Sequence, residues 1–133
     1  MNSNESIPDE LLRFLDSNVE SIEQLEILRL VGESPTKEWL DSDLAWASQI
    51  RSDAIASHLA VLEGRGLLKT SARDGKTYCT YGPRTPELEA TLAALLQFYR
   101  QRPATLIRIV YDRADARLKA FADAFRLRKG SSS

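Results

Sequence analysis

The dipeptide Asp74-Gly75 lies between two segments of alternating polarity, and this arrangement constrains the fold more than any other feature of the sequence. Asp-Gly favours the two-residue turn that joins antiparallel strands, because both central residues of that turn need a positive φ. Residues 67–73 and 76–82 are therefore predicted to form a β-hairpin. One of its faces carries Leu68, Thr70, Ala72, Thr77, Cys79 and Tyr81. We expect this face to pack inward and the opposite face, which bears three cations and a tyrosine, to be exposed.

Two helical segments precede the hairpin. A short helix is predicted from about 43 to 48, with Asp41 or Ser42 as its cap, after a loop in which Trp39-Leu40 forms a short strand. A second helix follows over about 52–63. Its buried stripe consists of Ile55, Leu59 and Leu62, which recur at i, i+4 and i+7.

The N-terminal segment is predicted to form two further helices. The first begins at Pro8, because proline is favoured at the first helical position. The second begins with a capping box formed by Ser21 and Gln24. We expect it to end at Gly32, since glycine commonly follows the last helical turn.

Two more helices are predicted after the hairpin. Thr85-Pro86-Glu87 begins a helix that ends before Pro103, and the last helix runs over about 104–128, roughly 38 Å at 1.5 Å per residue. Its apolar stripe consists of Ile107, Val110, Ala114, Leu118, Phe121 and Phe125. A core of this size cannot cover the whole stripe, so its distal part predicts a homodimer contact. The last four residues, 130–133, are expected to form a disordered tail.

The sequence has one cysteine, Cys79, and one histidine, His58. They exclude an internal disulfide, a zinc site of several thiolates and any two-histidine site. No nucleophile–base set is present, so we expect no enzyme activity, cofactor or metal. No apolar run is long enough to span a membrane, and we expect a soluble, cytoplasmic protein. The remaining single residues are interpreted as packing groups: Cys79 and His58 as fillers, Trp39 and Trp46 as core or interface residues.

The net charge of −1 hides an uneven distribution. Residues 1–50 carry 11 acidic and 3 basic residues, residues 51–84 carry 3 and 6, and residues 85–133 carry 5 and 9. Such an asymmetry is typical of a protein with a polyanionic partner, but it also arises when charges only solvate separate helix faces. Charge alone leaves both interpretations open.

The order of helix, short helix, turn, helix and hairpin is that of a winged helix-turn-helix. The segment IASHLAVLEGRGLL at 55–68, followed by the Asp74-Gly75 wing, resembles the winged-helix repressors of the ArsR and MarR type. We therefore predict a mainly α protein with a small β-hairpin. It consists of an N-terminal helix at 1–20, the winged helix-turn-helix at 21–82 and two C-terminal helices at 83–129. The resemblance implies a bacterial, homodimeric transcription regulator that binds double-stranded DNA.

Three groups of residues are predicted to carry this function. Arg51 and Ser52 at the start of the recognition helix, and Ser57 within it, are polar groups that can reach a base edge. The outward wing residues suit phosphates, which supply affinity without sequence information: Lys69, Arg73, Lys76 and Tyr78. The dimer interface is predicted to consist of Val110, Leu118, Phe121 and Phe125.

A protein–protein interaction module without DNA affinity is the alternative. No Lys or Arg lies between Ser52 and Gly64, so the outward face of the recognition helix is small and almost uncharged. Winged helices serve both purposes, and the fold does not decide between them. The sequence indicates neither an operator nor a small-molecule effector.

Overall fold

The computed structural model describes residues 7–131, with side chains as far as Arg126. The elements in this part of the chain are α1 Asp9–Asn18, α2 Ile22–Glu33, β1 Trp39–Leu40, α3 Asp41–Ser48, α4 Ser52–Gly64, β2 Leu68–Arg73, β3 Lys76–Tyr81, α5 Pro86–Gln101 and α6 Pro103–Ser131. The strands form one antiparallel sheet in the order β1-β3-β2. This architecture confirms the predicted mainly helical fold with a hairpin, added N-terminal helix and two C-terminal helices.

α3 and α4 form the helix-turn-helix. Ala45 of α3 and Ile55 of α4 lie in one buried core, where the small side chain at 45 allows the two helices to cross closely. The turn passes through Gln49, whose φ of 61° is left-handed. The Ile50 N–H then donates to the Ala45 carbonyl at 3.0 Å. A left-handed conformation costs a residue with a Cβ roughly 1–2 kcal/mol, so this turn is stabilised by the packing on either side of it.

The hairpin has the predicted two-residue turn. Asp74 (φ 55°) and Gly75 (φ 74°) are both left-handed, and β2 pairs with β3 so that Thr70 lies opposite Cys79. Cys79 is fully buried, and burial raises the pKa of its thiol to about 12. The inward face is therefore confirmed at the base of the hairpin. The prediction of an inward face is wrong at the tip, where Ala72 is exposed because the strands extend past the core.

Two helix starts differ slightly from the prediction. Ser21 Oγ accepts from the Gln24 N–H at 3.2 Å, as a capping box requires. Gln24 Oε1, however, accepts from the N–H of Glu20, one residue before the cap. α3 begins at Asp41 with Leu40 at the N-cap position, and the Asp41 carboxylate accepts from the Ser42 N–H at 2.7 Å.

Gly32 does not end α2, which continues to Glu33. A Cβ at position 32 would overlap the Leu96 Cδ1 atom of α5. This glycine therefore lets α2 and α5 approach closely, and the prediction that it stops the helix is wrong. Local sequence could not distinguish the two roles, because Leu96 is distant in the chain.

Among its described side chains, α6 contacts the rest of the chain as far as Arg117, whose guanidinium donates to the Val19 and Glu20 carbonyls. Its buried residues Leu106, Ile109 and Val110 belong to the common core. Arg113 forms an ion pair with Asp16 of α1 at 2.5 Å. Every side chain described from 116 to 126 is exposed. Val110, predicted in the dimer interface, is thus 1% exposed and lies in the chain's own core.

The C-terminal end of α6 is longer than predicted. The helix continues to Ser131, so the disorder predicted for 130–133 is wrong for its first two residues, and 132–133 lie outside the described residues. A glycine within a helix costs only about 1 kcal/mol relative to alanine, and each added residue gains a backbone hydrogen bond. The helix can therefore pass through Gly130.

Candidate nucleic-acid interface

The recognition helix α4 is held by its buried stripe and exposes the opposite face. Ile55, Leu59 and Leu62 are all buried, while Ser52 and Ser57 are exposed. The outward face also contains Ala56, Ala60 and Gly64. Such short side chains let the helix backbone approach a flat or grooved partner closely, but they offer few groups that can identify it.

Arg51 lies at the N-cap of α4 and is already paired. Its Nη2 is 2.6 Å from Asp53 Oδ2, and both side chains are largely exposed. An exposed pair of this kind contributes only about 0–1 kcal/mol. Arg51 can therefore exchange Asp53 for another acceptor at low cost. This pairing was not predicted from the sequence.

His58 lies beside the buried stripe, as predicted. Its Nδ1 is 3.4 Å from Nε2 of Gln24, a residue of α2 that is 2% exposed. The other end of this amide accepts from the Glu20 backbone. Gln24 thus connects the α1–α2 junction to the recognition helix. His58 is engaged on the inner side of α4 rather than on its outward face.

The outer face of the hairpin brings the predicted wing residues together. The antiparallel register places Arg73 opposite Lys76, and Lys69 opposite Thr80. All three cations are exposed, whereas Tyr78 is half-buried. The guanidinium carbon of Arg73 lies 4.1 Å from the centre of the Tyr78 ring. Stacking on that ring fixes the plane of the guanidinium.

Arg73 has a second partner that the sequence analysis missed. The Glu38 carboxylate, on the residue before β1, accepts a hydrogen bond from Arg73 Nη2. This bond raises the pKa of Arg73 above its ordinary value. The two residues are 35 positions apart, and only the sheet order β1-β3-β2 brings them together. No periodicity in the sequence could have indicated the contact.

The base of the wing is bonded to the end of the recognition helix. The Glu63 carboxylate accepts from the Thr70 N–H and from the Thr70 hydroxyl, each at 2.8 Å. Next to this bond lies a cleft of about 260 Å³ whose lining includes Lys69 and Arg84. The wing and α4 are therefore connected by side-chain hydrogen bonds as well as by the chain itself.

A row of apolar residues on α6 lies on the surface. Among the α6 side chains that the structure describes, the large hydrophobic residues exposed there are Tyr111 (61%), Leu118 (67%), Phe121 (71%) and Phe125 (60%). With Ala114 they follow a 3-4-3-4 spacing, the heptad pattern of helices that pack side by side. We call these five residues the α6 seam. The sequence analysis placed Val110 where the seam has Tyr111.

Trp46 of α3 is also largely exposed, at 83%. It is not a core residue, in contrast to Trp39, which is buried. Of the two roles that the sequence left open for Trp46, only the interface role is compatible with this exposure. An exposed tryptophan is a common anchor in protein–protein contacts.

Residues 7–131 contain neither a candidate metal site nor a candidate membrane span. No group of three or more His, Cys, Asp or Glu side chains in this range could hold a metal ion. Among the same residues, no helix combines the length and the apolar character needed to cross a membrane.

Comparison with known proteins gives matches only at the level of structure. No protein-family model matches the chain, and no curated protein matches it. Reduced HlyU from Vibrio cholerae superimposes with a TM-score of 0.52 at 21% identity, over 68% of this chain and 90% of that one.

Two further solved structures have the same architecture. One is the homodimeric winged helix-turn-helix DNA-binding domain of a possible ArsR-family transcriptional regulator from Mycobacterium bovis. It has a TM-score of 0.51 and 16% identity over 69% of this chain and 80% of that one. The other is MepR of S. aureus in complex with DNA, with a TM-score of 0.53 and 16% identity over 88% of this chain and 90% of that one. The chain described here thus has the winged helix-turn-helix fold.

Proposed function

We propose that this chain is a DNA-binding transcriptional regulator that acts as a homodimer. In this proposal α4 enters the major groove of DNA and the hairpin contacts the adjacent phosphate backbone. The observation that carries it is the outer wing face, on which three exposed cations and a tyrosine lie side by side. The fold is also shared with a regulator solved on DNA.

The wing would supply affinity rather than specificity. Lys69, Arg73 and Lys76 can each neutralise a phosphate, and each neutralised phosphate releases counterions. The logarithm of the binding constant should therefore fall with the logarithm of salt concentration by ~0.9 per contact. Tyr78 adds the stacking surface for Arg73 and a hydroxyl that can donate to a phosphate.

Sequence discrimination would lie at the start of α4. Arg51, Ser52 and Ser57 are the exposed polar groups of the recognition helix that suit a base edge. Arginine forms bidentate hydrogen bonds with guanine, and such a contact discriminates by roughly 1–3 kcal/mol. The Arg51–Asp53 pair would open on binding, since both side chains are in water.

The α6 seam would hold the dimer. It runs from Tyr111 to Phe125, which is about 21 Å of helix. Large exposed apolar patches on a single chain are typical of interfaces. We propose that a second copy covers Leu118, Phe121 and Phe125, and Val110 is left out because it is buried. A two-fold dimer could place the recognition helices about 34 Å apart, one turn of DNA.

The test is a salt titration on random duplex DNA, followed by fluorescence anisotropy. We expect binding at low salt that weakens steeply between about 50 and 200 mM. The double variant Arg73→Ala with Lys76→Ala should lower the salt slope by up to ~2 units on every sequence. Arg13→Ala with Arg108→Ala is the matched control, because both arginines are exposed but lie on α1 and α6. An unchanged slope in the wing variant would exclude the wing from the interface.

A protein–protein interaction module is the second candidate. The nearly uncharged outward face of α4 and the 83% exposed Trp46 favour it. Absence of binding to duplex DNA even at low salt would favour the protein–protein interaction module over the DNA-binding regulator. In that case the exposed face of α3 and α4 is the surface to test for a protein partner.

A further inference from the structure

The Glu38 carboxylate occupies the position on Arg73 where a DNA phosphate would bind. We propose that Glu38 limits the affinity of the wing for DNA: it competes with phosphate for Arg73 and so weakens binding of the wing to the backbone of any duplex. The inference rests on the proposed DNA-binding function and adds to it a residue outside both the wing and the recognition helix.

The geometry follows from the sheet order. β1 is the edge strand next to β3, and β2 lies on the other side of β3. Arg73, near the tip of β2, reaches across the Tyr78 ring of β3 toward Glu38. The three residues therefore form a row across the outer face, with the guanidinium stacked on the ring and one of its nitrogens on the carboxylate.

A carboxylate oxygen and a phosphate oxygen bind to the same N–H groups of a guanidinium. Both are anionic acceptors that bind its planar N–H groups. While Glu38 holds Arg73, the pair is electrically neutral, and the outer wing face has two unpaired cations, Lys69 and Lys76, among the side chains described there. A phosphate that approaches must displace the carboxylate or share the guanidinium with it.

Exchange is possible because the pair is accessible to water. The side chains of Arg73 and Glu38 are 54% and 43% exposed, so neither is locked in the protein interior. An exposed ion pair of this kind contributes at most about 1 kcal/mol, which corresponds to about fivefold in a binding constant. Glu38 thus imposes a modest penalty on every phosphate contact of Arg73.

The experiment is a double-mutant cycle of Glu38→Gln and Arg73→Ala, measured by anisotropy on random duplex DNA across salt concentrations. The single variant Glu38→Gln is expected to bind up to about fivefold more tightly at low salt. Its salt slope should steepen by at most ~0.9, the value for one full phosphate contact. In the Arg73→Ala background the same change should have no effect, because Glu38 acts through Arg73.

Asp16→Asn is the matched control, since Asp16 is also an exposed acid paired with an arginine, but between α1 and α6. Its binding should equal that of the unmodified protein. Equal tightening by Glu38→Gln in both backgrounds would overturn the proposal, because Glu38 would then only repel DNA through space. Unchanged binding of Glu38→Gln would overturn it too. If the unmodified protein and all variants fail to bind duplex DNA at low salt, the proposed function itself falls, and the inference with it.

Discussion

The dimer proposal makes a quantitative prediction for Phe121→Ala. Phe121 is 71% exposed in the single chain, so its truncation removes little packing within the protomer, and the monomer should remain folded. Covering this ring in a dimer buries roughly 100 Å² of apolar surface. At about 25 cal/mol per Å², that burial stabilises the dimer by about 2.5 kcal/mol per protomer.

The two-fold symmetry doubles the effect. Each dimer loses two rings, so the variant should weaken association by about 5 kcal/mol, more than a thousandfold in the dissociation constant. Sedimentation velocity over a concentration series measures this directly. At tens of micromolar, about the working concentration of the method, the unmodified protein should sediment as a dimer of twice 14.9 kDa. The variant should sediment as a monomer of 14.9 kDa.

Lys119→Ala is the matched control, because Lys119 is exposed on the same stretch of α6 but lies outside the seam. It should leave the mass unchanged. The reasoning is refuted if the unmodified protein is a monomer at these concentrations. It is also refuted if Phe121→Ala dimerises as well as the control.

Three further predictions concern other parts of the molecule. Arg51→Ala should cost roughly 1–3 kcal/mol on a preferred site and little on random DNA; equal loss on both would make Arg51 a phosphate contact only. Gly32→Ala should lower the free energy of unfolding by about 1–3 kcal/mol, because the new methyl group overlaps Leu96. Denaturant titration measures this change. The control is Gly64→Ala, because a Cβ at position 64 meets nothing within 4 Å. The Cys79 thiol has a pKa of about 12, so it should not react with a thiol reagent at pH 8 while the protein is folded. Rapid reaction without denaturant would show that the base of the sheet opens readily.

Local patterns in the sequence predicted the elements of this fold well. The hairpin register followed from Asp74-Gly75, because the turn type fixes which residues face each other. The buried stripe of α4 followed from Ile55, Leu59 and Leu62, because helical spacing alone defines it. Both features depend on residues within one or two turns of each other, and such information is present in a single sequence.

The sequence could not predict contacts between distant residues. Gly32 was interpreted as a helix stop because its neighbour Leu96 is unknown without the fold. Val110 and Tyr111 are adjacent on α6, and only packing against the other helices decides which of them is buried. Likewise, Glu38, the acidic partner of Arg73, is 35 positions away in the chain, and only the fold brings the two side chains together.

The two hydrogen bonds between Glu63 and Thr70 have a consequence for how a duplex would be selected. They join the last turn of α4 to the first residues of the wing, and under the proposed function they would hold helix and hairpin at a fixed spacing. Two contact points at a fixed spacing fit only a duplex in which the groove and the neighbouring backbone lie at a matching distance. A duplex whose sequence gives it a different local width or stiffness would have to deform to fit, at a cost that depends on bases the protein never touches. Under the proposed function, the sparse recognition helix is therefore not the only source of selectivity, because a rigid frame also measures the shape of the DNA.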